Sequence, residues 1–480
     1  MKSKLLYFLL TVLLSCNLNT KEETVLDLSE EDQEQLKVLF NNHLNYFSID
    51  FASLKNEVEV LNGELVRLKL FDFKVDYEMY PRESVEKISN FKHLKELILF
   101  GCDYYPKNMD NLSKLETLHL NLDRIHNFPF EQLNSNTLQM LYIEGDSIKS
   151  VPNAIYNFTS LKELEILTND VPSVSNEIGN LKDLENLVIS VKMNTLPKEI
   201  KGCSKLKTLK IYSDSLTSLP NSFQNYTELE ILYIYSKSKI DLPISLSNCK
   251  NVILFELSGI INEYPECING MDSLGYLEID CGENGGFDSL SDGMSNLTRL
   301  HTLRIENPKL KYLPKSLSQT NLEYLYIHEA NFRDYQFPIE YNQLPLKYIK
   351  LYDTKIKEFP EFIYDLTTLE ELNIKGGYFD SMRNPQPQKN WNNLKSFTVT
   401  DTDLKSLPDS LGYCRNLQTV DIQYNRLTTV PRSFANLGER LCFYWFGNPW
   451  KTLPKEMDWN CRDLNPCSVG YSNLPPAKRR

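Results

Sequence analysis

One repeated pattern limits what this chain can fold into. L-x-x-L-x-L occurs at Leu94-Leu97-Leu99, Leu115-Leu118-Leu120, Leu138-Leu141-Ile143, Leu161-Leu164-Ile166, Leu184-Leu187-Ile189 and Leu206-Leu209-Ile211. It continues from Leu229, Val252, Leu274, Leu300, Leu322, Leu346, Leu369, Leu394 and Leu417, ends at Leu441-Tyr444-Phe446, and has an early copy at Leu65-Leu68-Leu70. The chain thus carries seventeen units, mostly 22 to 24 residues apart. One unit offers one short strand and cannot bury its apolar face alone, so neighbours must stack. Parallel strands ~4.8 Å apart then form a sheet. A second marker keeps phase with the first: Leu196-Pro197, Leu219-Pro220, Leu242-Pro243, Leu313-Pro314, Leu407-Pro408 and Leu453-Pro454. Proline there removes a ladder donor and favours a bend out of the strand or the first turn of a short helix.

These residues resemble the leucine-rich repeat family in its bacterial Leu-Pro-x-x-Ile form, over about residues 64 to 457. The resemblance implies an α/β solenoid, a horseshoe with a parallel concave sheet, whose work is non-enzymatic protein recognition. The family places Asn eight residues after the first Leu of a unit. Here that slot holds Asn169 and Asn425, but elsewhere Cys102, Asp123, Asp146, Asp214, Thr354, Thr402, Lys192, Lys237 or Ile260. The asparagine ladder is patchy, which bears on the turns more than on the fold.

A solenoid needs caps on its open ends. Ser29-Glu30-Glu31-Asp32 reads as a capping-box-like helix start. Leu36, Leu39, Phe40, Leu44 and Phe47 mark one helical face, and Phe51, Leu54, Val58 and Leu61 a second one stopped at Gly63. Residues 26–63 are therefore expected to form a helical N-terminal cap, and residues 458–480 a C-terminal cap and tail. In the latter, Cys461 and Cys467 could form a disulfide in an envelope compartment. Cys203, Cys249 and Cys414 share a slot filled elsewhere by Phe or Leu, and read as core fillers.

The beginning of the chain reads as an address. Residues 1–15, MKSKLLYFLLTVLLS, combine a basic start with an apolar run too short to span a bilayer but suited to a signal peptide. Leu13-Leu14-Ser15-Cys16 resembles a bacterial lipobox, which implies lipidation at Cys16 and a membrane anchor through a tether over residues 16–25. Lys21-Glu22-Glu23 resembles the export signal of Bacteroidetes surface lipoproteins; a solvated charge run is the alternative. The expected location is the bacterial cell envelope, at the outer membrane and facing outward if that signal is genuine.

A formal charge of −12 without a clustered basic face argues against nucleic acid. The six histidines lack zinc spacing, and no phosphate-cradling loop or nucleophile elbow is present. No metal, cofactor or catalytic role is expected. The stretch Asp280-Cys281-Gly282-Glu283-Asn284-Gly285-Gly286-Phe287-Asp288 lacks the closing glutamate of a calcium loop and reads as an inserted turn.

Since the leucines point inward, the third, fifth and seventh residues of each unit face outward on the sheet. From the middle onward these are Tyr212, Tyr233, Tyr235, Tyr276, Tyr324, Tyr326, Tyr348 and Tyr352, with Glu256 and Glu278 among them. Tyrosine gives wide contact area with a polar tip and is enriched at interfaces. The expected partner is a protein with a basic surface. The alternative is a glycan, with the tyrosines stacking on sugar rings.

Overall fold

The strands form where the repeat places them, because alternation of inward leucines with outward polar residues is a period-2 pattern. A computed structural model describes residues 28–40, 58–71, 82–125, 127–146, 148–385, 391–437 and 441–450. The chain divides into two units, Met1–Ser147 and Ile148–Arg480.

In the first unit, helix α1 (Glu30–Phe40) starts as the capping residues require. The Asp32 amide donates to Ser29 Oγ at 3.1 Å, and the Ser29 hydroxyl donates to the Asp32 carboxylate at 2.8 Å. Leu36 and Leu39 are buried. The expectation of helix up to Gly63 is corrected here. Val58–Leu61 is strand β1, paired antiparallel with β2 (Glu64–Phe71) through the Leu61↔Glu64 and Val58↔Leu68 partners. The reason is local: Asn62 (φ 53°) and Gly63 (φ 74°) are both left-handed, as a two-residue hairpin turn demands. Val58 and Val60 alternate with exposed neighbours, so period 2 overrides the helical spacing. Phe51 and Leu54 lie outside the described residues. A short helix α2 (Arg82–Glu86) follows. Strands β3 (Glu96–Phe100), β4 (Thr117–Asn121) and β5 (Met140–Glu144) then extend β2 in parallel.

The second unit contains thirteen parallel strands among its described residues, starting with β6 (Glu163–Leu167) and β7 (Asn186–Ser190). Those that matter below are β8 (Thr208–Tyr212), β9 (Ile231–Lys239), β10 (Leu254–Ile260), β11 (Tyr276–Asp280), β12 (Thr302–Glu306), β13 (Tyr324–His328) and β14 (Tyr348–Tyr352). After them come β15 (Glu371–Lys375), β16 (Ser396–Thr400), β17 (Thr419–Asp421) and β18 (Cys442–Tyr444). Each pairs with the next in register, so the fifth position of one unit sits beside the fifth of its neighbour. Leu209, Leu232, Leu277, Leu303 and Leu325 are fully buried, each contributing about 1.5–3 kcal/mol.

The Leu-Pro marker does what its chemistry suggests. Pro197, Pro243, Pro314 and Pro408 stand immediately before 3-10 turns at Lys198–Gly202, Ile244–Asn248, Lys315–Gln319 and Asp409–Tyr413. Three residues on, Ile200, Leu246, Leu317 and Leu411 plug the core. Cys203, Cys249 and Cys414 are buried as expected, and the Cys203 thiol donates to the Ile178 carbonyl at 3.1 Å. Burial pushes each of these three thiols up to about 12. Cys16, Cys461 and Cys467 lie outside the described residues. The stretch after Asp280 is a turn, with Gly282 and Gly286 at positive φ.

The last unit is displaced by one residue from its reading as Leu441-Tyr444-Phe446. Cys442 pairs with Thr419 and Phe443 with the buried Val420, so Phe443, not Tyr444, takes the inward place. Asn448 fixes this register: its Nδ2 donates to the carbonyls of Ile422 (2.8 Å) and Trp445 (3.0 Å), and its Oδ1 accepts from the Leu427 amide (3.0 Å). It repeats what Asn425 does one unit earlier toward Val399 (2.7 Å) and Ile422 (3.0 Å). Other units serve the turn from one residue earlier. Ser213 donates to the Met193 carbonyl and Ser236 to that of Leu216, both at 2.7 Å, while Asn307 donates to Phe287 at 2.9 Å.

Candidate functional site

Strands β8 to β14 present the ten outward residues singled out from the sequence. Tyr212, Tyr233, Tyr235, Glu256, Tyr276, Glu278, Tyr324, Tyr326, Tyr348 and Tyr352 are all half-buried at alternating positions of their strands, on the sheet face opposite the leucines.

Register sorts them into two patches. Around β13 and β14 the rings touch: Tyr324 and Tyr348 lie 6.0 Å apart, and Tyr326 meets Tyr352 edge-on at 5.5 Å. His328 joins them, 6.3 Å from Tyr326 and 6.5 Å from Tyr352. Around β8 and β9, Tyr212 faces Tyr235 across the ladder, and Tyr233 occupies the next row beside Glu256. These rings adjoin without stacking on one another.

Between the patches runs a fifth-position row that alternates aromatic, acidic and basic groups: Lys210, Tyr233, Glu256, Glu278, Arg304, Tyr326 and, at the end, Lys350. Its cations, which residue type alone does not single out, occupy the same repeat position as its acids, and that shared position is the signal that finds them. Lys210 lies over the Tyr233 ring at 4.9 Å, Arg304 over Tyr326 at 4.6 Å and Lys350 over Tyr324 at 5.9 Å. Arg304 also pairs with Glu278 at 3.0 Å, and Lys350 with Glu371 at 3.0 Å. His328 stands 3.3 Å from Glu306 and 3.8 Å from Asp353.

The row's electrostatics are uneven. Burial, then the neighbouring Glu278 charge, raises the carboxyl of Glu256 above its usual range; Tyr233 and Arg304 only partly counter this. Tyr233 and Tyr276 are held well above an ordinary phenol, first by burial and then through the glutamates beside them, while Tyr212 is pushed up to about 12. The Tyr276 hydroxyl donates to Glu278 in a short hydrogen bond. Glu278 therefore has two partners, and Glu256 is the less compensated carboxylate. Among the described residues, no group of three or more His, Cys, Asp and Glu is arranged to hold a metal ion.

Comparison with known proteins places this geometry in a fold. Residues 64–195 match the family model described as leucine-rich repeat region. A leucine-rich repeat protein of Leptospira interrogans has a similar structure: TM-score 0.68 at 23% identity, covering 79% of this chain and 95% of that one. A TDR receptor gives a TM-score of 0.51 at 18% identity, covering 75% of this chain and 66% of the receptor. Among curated proteins, mouse leucine-rich repeat serine/threonine-protein kinase 1 is 24% identical over 221 residues. That match takes in 45% of this chain and a tenth of the kinase's length. The fold is a leucine-rich repeat solenoid.

Proposed function

We propose that this protein is a membrane-anchored, non-enzymatic scaffold that recognises a protein partner through the exposed sheet face of strands β8 to β14. The observation that carries the reading is the tyrosine-rich face itself. The repeat dictates the leucines but leaves the outward positions free, and there eight tyrosines gather with interleaved charges. Half-buried rings of this kind supply contact area at small entropic cost, which is how interface hot spots are built. The under-compensated Glu256 favours basic side chains on the partner. The anchor is assigned to lipidated Cys16, in the envelope of a bacterium and at its outer membrane.

The test is capture from envelope and host extracts by the full chain, beside a variant with Tyr233, Tyr235, Tyr324 and Tyr326 all changed to Ala. A protein held by the parent and lost by the folded variant supports the reading. Equal capture by both removes the tyrosine face from it. Metabolic labelling with a fatty-acid probe, compared with Cys16→Ser, tests the anchor separately.

A further inference from the structure

Beyond the tyrosine face, strands β14 to β17 border an open concavity of ≈ 460 Å³ whose lining changes character. Its floor is a registered row of Asn373, Thr398 and Asp421 at the fifth position, and beside it Lys375 and Thr400, paired at the seventh, with Gln423 at the same position of the next unit. Its rim is the eighth position, where Asp353, Asp401 and Tyr424 all take left-handed φ of 52° to 54°. The rim residue between the two aspartates is Gly376 (φ 76°), where a Cβ would come within 2.8 Å of Asp353 Oδ1. The wall is therefore notched at that point. His328 and Tyr352 close the β13–β14 end.

No lining residue is aliphatic apart from the threonine methyls. Sites for drug-like molecules or apolar peptide anchors are walled mostly by apolar side chains, and this one is not. It offers instead planar two-ended groups, a carboxamide at Asn373 and Gln423 and a carboxylate at Asp421, each able to pair with adjacent hydroxyls that both donate and accept. Gln423 and Asp421 are already oriented, the Gln423 Nε2 donating to both Asp421 oxygens at 3.1 and 3.2 Å. Tyr352 and Tyr424 add aromatic faces at opposite ends, the latter half exposed. Three carboxylates outnumber the single Lys375 ammonium, which disfavours an anionic ligand.

We propose that this concavity binds a neutral saccharide unit of one or two rings, its hydroxyls on Asn373, Asp421 and Gln423 and its C–H face on Tyr424. The sugar is either free, as part of a polysaccharide, or carried as a glycan on a protein.

Saturation-transfer NMR on the full chain tests this, with hexoses, N-acetylhexosamines and the corresponding uronic acids as probes. The expected result is binding of at least one neutral sugar at about millimolar Kd and weaker binding of its uronic acid. Asn373→Ala and Gln423→Ala should each weaken the neutral sugar roughly tenfold, the equivalent of one to two hydrogen bonds. Tyr233→Ala/Tyr235→Ala should leave it unchanged. In a second arm, glycoproteins are presented before and after enzymatic deglycosylation; loss of binding assigns a protein-borne source, and binding of free oligosaccharide assigns the polysaccharide. The proposal is overturned if no neutral sugar saturates and glycoprotein capture is unchanged by deglycosylation, or if folded N373A and Q423A bind like the parent. Because the Tyr233/Tyr235 patch is outside the concavity, this proposal can fail while the protein-recognition reading stands, and the reverse.

Discussion

Replacing Asn425 by Ala should loosen one end of the repeat stack and leave the rest intact. The side chain is only 5% exposed and ties two units together. Its Nδ2 donates to the Val399 carbonyl at 2.7 Å and to those of Ile422 and Gln423 at 3.0 and 3.2 Å. Its Oδ1 accepts from the Thr402 amide at 3.3 Å and, through a short bond, from the Thr402 hydroxyl. A neutral hydrogen bond contributes about 1 kcal/mol net, and a buried group left without its partner costs about 1–3 kcal/mol. Losing the amide here should cost about 3 kcal/mol. In a stack of repeats each unit contacts only its neighbours, so the loss should stay local. Hydrogen exchange followed by mass spectrometry checks this: peptides covering β16 to β18 should lose most of that protection, and peptides covering β8 to β13 almost none. Asn425→Asp is the sharper variant, because it keeps the acceptor for Thr402 and removes all three donated bonds while burying a charge. A loss below about 1 kcal/mol for Ala, a loss spread evenly along the chain, or an Asp variant as stable as the parent refutes the reasoning.

Other perturbations probe different layers. Gly202→Ala places a Cβ 2.2 Å from the Gly179 carbonyl oxygen, a backbone atom that cannot swing away; thermal unfolding should show destabilisation of about 1–3 kcal/mol, and parent-like stability would contradict the close approach of the Lys198–Gly202 turn to the 3-10 turn at Asn176–Asn180. In a full chain with Cys16, Cys461 and Cys467 changed to Ser, one thiol should react fast with a disulfide reagent. That thiol is the exposed Cys442, with Cys203, Cys249 and Cys414 released only on unfolding. Glu256→Gln should raise stability at neutral pH. A carboxyl held above its unfolded value stabilises the fold only while protonated, so its contribution is full below the unfolded value and is lost as pH rises through the folded one. The gain from the amide should therefore grow with pH across the acid range, as read from urea midpoints.

How much of this was legible in advance follows from where information sits in a repeat. Inward leucines are set by a periodic demand, and so sixteen of the seventeen repeat strands and the outward direction of the tyrosines are legible in the sequence. Features that break the period were harder. Asn62-Gly63 is a hairpin signal of only two residues, yet in the fold it outweighs the helical spacing of Val58 and Leu61. The final unit lacks a leucine in register, so Leu441 captured the count and hid Asn448, which performs the asparagine's work. The ladder looked broken because Ser213, Ser236 and Asn307 serve the turn from one residue earlier than the family slot. At the site, residue type at outward positions was readable but cross-strand company was not: Glu278 stands next to Arg304 only because units of unequal length restore register at the strand.

That last point changes what the acids can do. Read alone, Glu256 and Glu278 make an acidic surface; in register, Arg304 engages Glu278 and stacks on Tyr326, and Lys210 stacks on Tyr233. A partner offering only positive charge would have to compete with cations already seated on these rings. Discrimination is then concentrated at Glu256, the carboxylate with the least compensation, and on the tyrosine edges that the resident cations leave open. The consequence is specific. Arg304→Gln should strengthen capture of a basic partner by releasing Glu278, even though it removes a contact from the site. A strictly tyrosine-driven partner should be held less well by the same variant, since Tyr326 loses the guanidinium that fixes its face. Binding of the captured partner to R304Q, measured at two ionic strengths, separates the two cases: screening abolishes a gain that comes from released charge and leaves a loss of ring order untouched.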